Sequence, residues 1–408
     1  MRILQLCPKV PWPSDDGGRV AMRVLGLSLR KAGADLRMLS LNPGKHRVAP
    51  RSLPDEARHL RLEAIDVDTS VRVAGALKSL AFGTSYNVDR FHSKAFERRL
   101  GEIVRDEVPD VVLLESLFMV PYVPALREAT RARLVLRSVN VEHEIWEGLA
   151  RGERGIARRL YLGHIARRLR EFEVATLNDV DAIAAVTPED AGTYARLGAT
   201  VPLHVAPVGI ETDEYPDRSG QGDPLTVVFL GSLDWRPNLE AAEWFLESVW
   251  PLVRRSVPEA RFHIGGSNPP ADLGGRLRSE GVRFLGRVPD ARDFLASGAA
   301  MVVPLLTGGG MRVKILEAMA LGVPVVSTRL GASGIGAANG TEILLADGPE
   351  TLAAACASLL LDQDLAFAIG QAGRRRVSES FDAVGIGRRL LEFLEARLAP
   401  RAPAQNAR

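Results

Sequence analysis

The chain has 408 residues, 46% hydrophobic and 25% charged, with a formal net charge of +2. That length exceeds one ordinary core and predicts two α/β domains of about 200 residues each. The near-neutral balance excludes the broad basic field of a nucleic-acid binder, and two cysteines exclude a disulfide framework and suit a reducing, cytoplasmic setting.

The chain opens on a strand-like run, Ile3-Leu4-Gln5-Leu6, with no charged leader and no stretch of about 18 apolar residues. The expectation is no signal peptide and no membrane span, so any membrane contact is peripheral. Further strand-like runs fall at 35–41, 110–115, 133–138, 181–187 and 203–206. A second series falls at 225–230, 261–264, 282–285, 300–305 and 323–326. Strands separated by helix-length segments mean parallel sheets. Residues 207–224 hold three prolines, three glycines and five acidic residues with no apolar period, which predicts an inter-domain linker. The fold class expected is α/β: two Rossmann-like, doubly wound domains at 1–206 and 225–383, with a ligand in the cleft between them. The last residues, 399–408, read as a disordered tail.

In open α/β sheets the binding edge lies at the carboxyl ends of strands, so the residues just past each strand are the candidates. After the first strand, Trp12 precedes Gly17-Gly18, a glycine-rich helix entry that can bring backbone close to an anion or a sugar. Glu115 follows the strand at 110–115. The strand at 133–138 leads into Asn140 and His143, and a histidine there can donate a hydrogen bond or shuttle a proton. Arg236 follows the strand at 225–230, where its forked guanidinium can reach a diphosphate. Residues 151–173, from Arg151 to Glu173, read as one basic amphipathic helix with seven arginines and three glutamates. Such a helix either packs on the core with a solvated basic face or meets anionic lipid.

The most informative stretch follows the strand at 300–305: Gly308, Gly309 and Gly310, then Met311, Arg312, Val313 and Lys314 opening a helix that also carries Glu317. Strand, glycine turn and helix start together aim unpaired N–H groups and the positive end of a helix dipole at one place, a seat for phosphate. Only six of the 52 basic residues are lysines, and Lys314 is the sole one after Lys94. A cation in a first helical turn is unfavourable unless an anion sits there too.

These blocks, with Val186-Thr187-Pro188-Glu189-Asp190, Gly231-Ser232-Leu233-Asp234-Trp235-Arg236-Pro237-Asn238 and Lys314-Ile315-Leu316-Glu317-Ala318-Met319-Ala320, resemble the retaining GT-B glycosyltransferases of family 4, in the branch that builds bacterial polysaccharides. The resemblance implies sugar transfer from a nucleotide-diphosphate sugar, UDP- or GDP-linked, to a glycan or lipid-linked acceptor, with no metal and no further cofactor. It places the ribose on Glu317, the diphosphate on the amides of Met311 to Lys314, and phosphate and donor sugar near Gly17 and Gly18. Gly309 and Gly310 complete the donor site. His143, Asn140, Arg236 and Lys314 are the catalytic candidates, and Glu115 and Trp12 the acceptor-side ones. A terminal helix at 384–398 is expected to cross back onto the first domain. The sequence departs from the family pattern at three places: Gly309 stands eight residues before Glu317 where a glutamate is usual, Val139 replaces the usual histidine, and Ser232 and Pro237 replace an Arg and Lys pair. Two other readings are a nucleotide-sugar 2-epimerase and a degenerate nucleotide-sugar-binding protein.

Overall fold

The computed structural model describes residues 1–14, 16–44, 47–70, 86–153, 155–270, 273–276 and 279–397. The chain divides into two compact units, Met1–Gly209 with the segment from Ala383 onward, and Ile210–Asp382.

The first unit is built on strands β1 (Arg2–Cys7), β2 (Asp35–Pro43), β3 (Glu63–Val67), β4 (Val111–Glu115), β5 (Arg133–Ser138), β6 (Ala182–Ala185) and β7 (Leu203–Val205). They form one parallel sheet in the order β3-β2-β1-β4-β5-β6-β7. The order reverses between β1 and β4, the switch point of a doubly wound sheet. The central strands read as apolar runs because helices cover both faces. Helix α1 (Gly17–Lys31) starts under the Asp16 side chain, which accepts from the Arg19 amide at 2.9 Å. Further on lie α2 (Lys94–Glu107), α3 (Glu142–Gly152), α4 (Ile156–Thr176) and α5 (Pro188–Arg196).

The second unit holds β8 (Asp223–Leu230), β9 (Arg261–Gly265), β10 (Val282–Gly286), β11 (Gly298–Val303), β12 (Val325–Ser327) and β13 (Leu344–Leu345). Their parallel order is β10-β9-β8-β11-β12-β13, so the switch point lies between β8 and β11. The helices used below are α6 (Arg236–Trp244), α7 (Val313–Ala320), α8 (Pro349–Leu361) and α9 (Gln363–Ser380). Finally α10 (Ala383–Arg397) rejoins the first unit and lies on α1. A Cβ at Gly387 would stand 2.7 Å from the Ser28 carbonyl carbon, so only glycine permits that approach. Leu390, Leu391 and Leu394 then enter the core beside Leu25 and Leu29.

Four expectations need revision. The edge strands β3 and β13 go unpredicted: β3 is only half-buried and β13 spans two residues. Residues 207–224 are not a free linker. Within the second unit, the Arg218 amide donates to the Leu321 carbonyl at 2.8 Å and Ser219 Oγ to the Gly322 carbonyl at 3.2 Å. The unit boundaries accordingly fall at 209/210 and 382/383, and β8 begins at Asp223 inside the expected linker. Residues 151–173 are two helices, because α3 ends at Gly152 and α4 begins after Gly155. The tail at 399–408 lies outside the described residues. Among the described residues no single helix is long and apolar enough to cross a membrane.

Candidate functional site

In the second unit the loops after β8 and β11 leave the carboxyl edge of the sheet on either side of the switch point, where open α/β sheets bind ligands. The β11 loop turns through Gly308 (φ +110°) and Gly310 (φ +79°), backbone conformations that side chains rarely adopt. It delivers the chain into α7, whose Val313, Ile315, Leu316, Ala318, Met319 and Ala320 are buried. Arg312 is the residue that precedes α7, and no side chain caps this helix start. Its first N–H groups are left for an external acceptor. Gly322 (φ +74°) ends the segment.

Lys314 does not point to solvent. Its ammonium donates to the Leu230 carbonyl at 2.7 Å and to Asn238 Oδ1 at 3.2 Å, and sits 4.8 Å from the centre of the Phe229 ring. It therefore joins the end of β8 to the start of α7 across the switch point. Asn238 in turn donates to the Ser232 carbonyl at 2.9 Å, which fixes the β8 loop. Burial, with the Arg312 charge beside it, pushes the Lys314 pKa down to about 7, against a smaller upward pull from Glu317. The sequence lacks cations at Ser232 and Pro237, and Lys314 reaches this loop from across the switch point.

Glu317 accepts from the Tyr215 hydroxyl at 3.0 Å, and burial raises its pKa. Tyr215 belongs to the segment expected to be a linker, 102 residues away in sequence. Only its aromatic ring, between two prolines' worth of polar chain, offered a signal. Arg236 departs from expectation: its Nε is 2.5 Å from Glu240 Oε1, and the other Glu240 oxygen accepts from Thr307 at 3.1 Å. That counter-charge lies beside the guanidinium expected to reach a diphosphate. Arg312 is 9% exposed, and its guanidinium lies 4.9 Å from the centre of a Trp235 ring. Gly309, Gly310, Met311, Arg312, Val313, Lys314 and Glu317 are thus brought together, although the Val313 side chain faces the core.

In the first unit the carboxyl edge carries a buried polar network that the sequence does not announce. The Glu173 carboxylate accepts from the backbone amides of Glu142 and His143, each at 3.0 Å, and caps the start of α3. His143 Nδ1 lies 2.5 Å from the same carboxylate. Ser138 Oγ bonds the Tyr194 hydroxyl at 2.6 Å and the Asn140 carbonyl at 2.6 Å. Burial next to Glu173 pushes the Glu142 carboxyl up to about 8, and burial pushes Asp190 up to about 6. His143 is only 4% exposed, so it first serves the β5–α3 turn and does not present an open ring to a substrate. Asn140 is half-exposed at the same turn.

Both acceptor-side candidates are buried. Trp12 packs in the core beside Met22 and Leu25 and donates from Nε1 to Glu56 at 3.0 Å. Glu115 is wholly buried between Arg137 (2.9 Å) and Gln5 (2.6 Å), which makes it structural. At Gly17 and Gly18 the helix entry holds the protein's own carboxylate, since Asp16 pairs with Lys9 at 2.7 Å and caps α1. An anion there meets competition. Among the described residues no group of three or more His, Cys, Asp or Glu side chains is arranged to hold a metal ion.

Residues 224–362, most of the second unit, match the family model described as Glycosyl transferases group 1. An uncharacterized 44.6 kDa protein in the cps region of Klebsiella pneumoniae is 23% identical over 85% of this chain and 87% of its own length. A GDP-mannose-dependent alpha-(1-6)-phosphatidylinositol monomannoside mannosyltransferase of Mycolicibacterium smegmatis is 30% identical over 54% of this chain and 63% of its own length. The crystal structure of Anabaena Alr3699/HepE in complex with UDP and glucose superposes with a TM-score of 0.69 at 15% identity, covering 97% of this chain and all of that one. The architecture is that of the GT-B glycosyltransferases, and with the group 1 match these likenesses support a glycosyltransferase.

Proposed function

We propose that the protein is a retaining, metal-independent glycosyltransferase that moves a sugar from a nucleoside-diphosphate sugar to a glycan or lipid-linked acceptor in bacterial surface polysaccharide synthesis. The observation that carries this reading is the seat at the β8–β11 switch point, where an uncapped helix start and the Lys314 ammonium converge. A leaving diphosphate develops negative charge, and preorganised N–H dipoles and a cation stabilise it. In this reading the C1–phosphate bond breaks while the acceptor oxygen bonds C1 from the same face. The acceptor proton passes to the departing phosphate oxygen, so no protein nucleophile is required. Glu317, held by Tyr215, takes the ribose hydroxyls. Two of the three proteins named above, the mannosyltransferase and HepE, use GDP-mannose or bind UDP, whose shared chemistry is a nucleoside diphosphate. The test is sugar transfer with UDP- and GDP-sugars and a lipid-extract acceptor, with the anomer of the product determined.

A lipid-linked acceptor brings the enzyme to a membrane surface, and α4 suits one. Ile156 (68% exposed) and Leu160 (69% exposed) stand free next to Tyr161, among exposed Arg158, Arg159 and Arg167. Apolar side chains with flanking arginines fit an anionic bilayer. Co-sedimentation should favour phosphatidylglycerol over phosphatidylcholine vesicles, and the double change Ile156→Glu, Leu160→Glu should abolish it. Equal pelleting of both proteins contradicts the assignment.

A further inference from the structure

Arg312 has donors that the chain leaves unused. Nη1 donates to the Gly309 carbonyl, but Nε and Nη2 are buried and find no acceptor among the described residues. Among the described residues no carboxylate pairs with the guanidinium, and burial alone pulls its pKa down to about 10, so it stays charged at neutral pH. An uncompensated buried charge is costly to fold around. The surroundings are nonetheless built for it. The ring of Trp235 stacks on one side, and Gly308 closes the backbone over it: a Cβ there would lie 2.9 Å from Nη2 and 3.1 Å from the Trp235 ring. The same residue opens α7, whose start no side chain caps, and it stands two residues before Lys314.

Nε and Nη2 form the side of the guanidinium that grips two oxygens of one anion in parallel. We propose that Arg312 is a phosphate-binding residue, its Nε–Nη2 edge receiving oxygens of the donor diphosphate, in place of the cations absent at Ser232 and Pro237. This rests on the donor reading above. The ligand supplies the counter-charge that the chain omits, while the Gly309 carbonyl keeps its hold on Nη1. Arg236, unlike Arg312, already has a carboxylate partner in Glu240.

The experiment is calorimetric titration of wild type, Arg312→Lys and Arg312→Met with UDP and GDP, and with uridine and guanosine as probes lacking phosphate. Arg312→Met should bind the preferred diphosphate at least tenfold more weakly, Arg312→Lys should recover part of the loss, and nucleoside binding should be unchanged. The unliganded Arg312→Met protein should melt no lower than wild type, because removing an unpaired buried charge relieves the fold. A purely structural arginine gives the opposite pattern: a lower melting temperature and equal losses for nucleoside and diphosphate. Wild type that binds UDP or GDP while Arg312→Met binds as well overturns the role of Arg312 alone. Wild type that binds neither overturns the donor reading and this inference with it.

Discussion

Replacing Glu115 by alanine should destabilise the first unit by about 3–5 kcal/mol, because it leaves the Arg137 guanidinium buried without its counter-charge. Both side chains are fully buried in registered positions on β4 and β5, and Glu115 accepts from Arg137 at 2.9 Å and from Gln5 at 2.6 Å. Gln5 spends its amide on this carboxylate and on the Met22 carbonyl, tying the central strands to α1. The double replacement Glu115→Leu, Arg137→Met should recover most of the loss, since exchanging both partners for apolar groups is often near neutral. Denaturant unfolding of the two single variants and the double measures the coupling. Wild-type stability in Glu115→Ala, combined with lost transfer to acceptor, would contradict the structural role and restore the acceptor one.

Lys314→Met should weaken nucleoside-diphosphate binding by about 10- to 100-fold, the range of a charge-assisted hydrogen bond at 1.5–3 kcal/mol. The pH dependence gives a sharper signature. In the free protein the ammonium has a pKa of about 7, so above neutrality much of it is deprotonated. A bound diphosphate favours the charged form and raises that pKa, so the complex holds more protons than the free protein from pH 7 upward. Affinity must then fall as pH rises through that window, and binding must take up a proton. Titration in buffers of different ionisation enthalpy counts that proton. Lys314→Met should remove both the uptake and the slope. Proton uptake that persists in the variant would assign it to another group.

The central strands were legible because helices bury both their faces, which leaves continuous apolar runs such as Val111–Glu115. The edge strand β3 escaped for the converse reason: a half-exposed Glu63–Val67 alternates charge with apolar residues. The segment at 207–224 looked like a linker because its anchorage comes from side chains far away in sequence, Glu317 to Tyr215 and Gln371 to Asp217. No local period records such contacts. Lys314 stood out through its rarity and its place against the helix dipole, and the structure adds its hold on the Leu230 carbonyl. The partner of Arg236 was in reach, since Glu240 lies four residues on in the same helix. The pairing of His143 with Glu173 spans 30 residues and two helices, so a lone histidine past a strand gave no hint of it. The bare edge of Arg312 depends on burial by Trp235 and a glycine loop, which only the folded chain specifies.

The most direct measurement is transfer from UDP- and GDP-sugars carbon-13 labelled at C1, with and without a lipid-extract acceptor, followed by NMR of the anomeric signal. The expected result is acceptor-dependent product with the donor's anomeric configuration, formed at least tenfold more slowly by Lys314→Met. Donor converted to a different sugar without acceptor, or donor bound but never consumed, would contradict it.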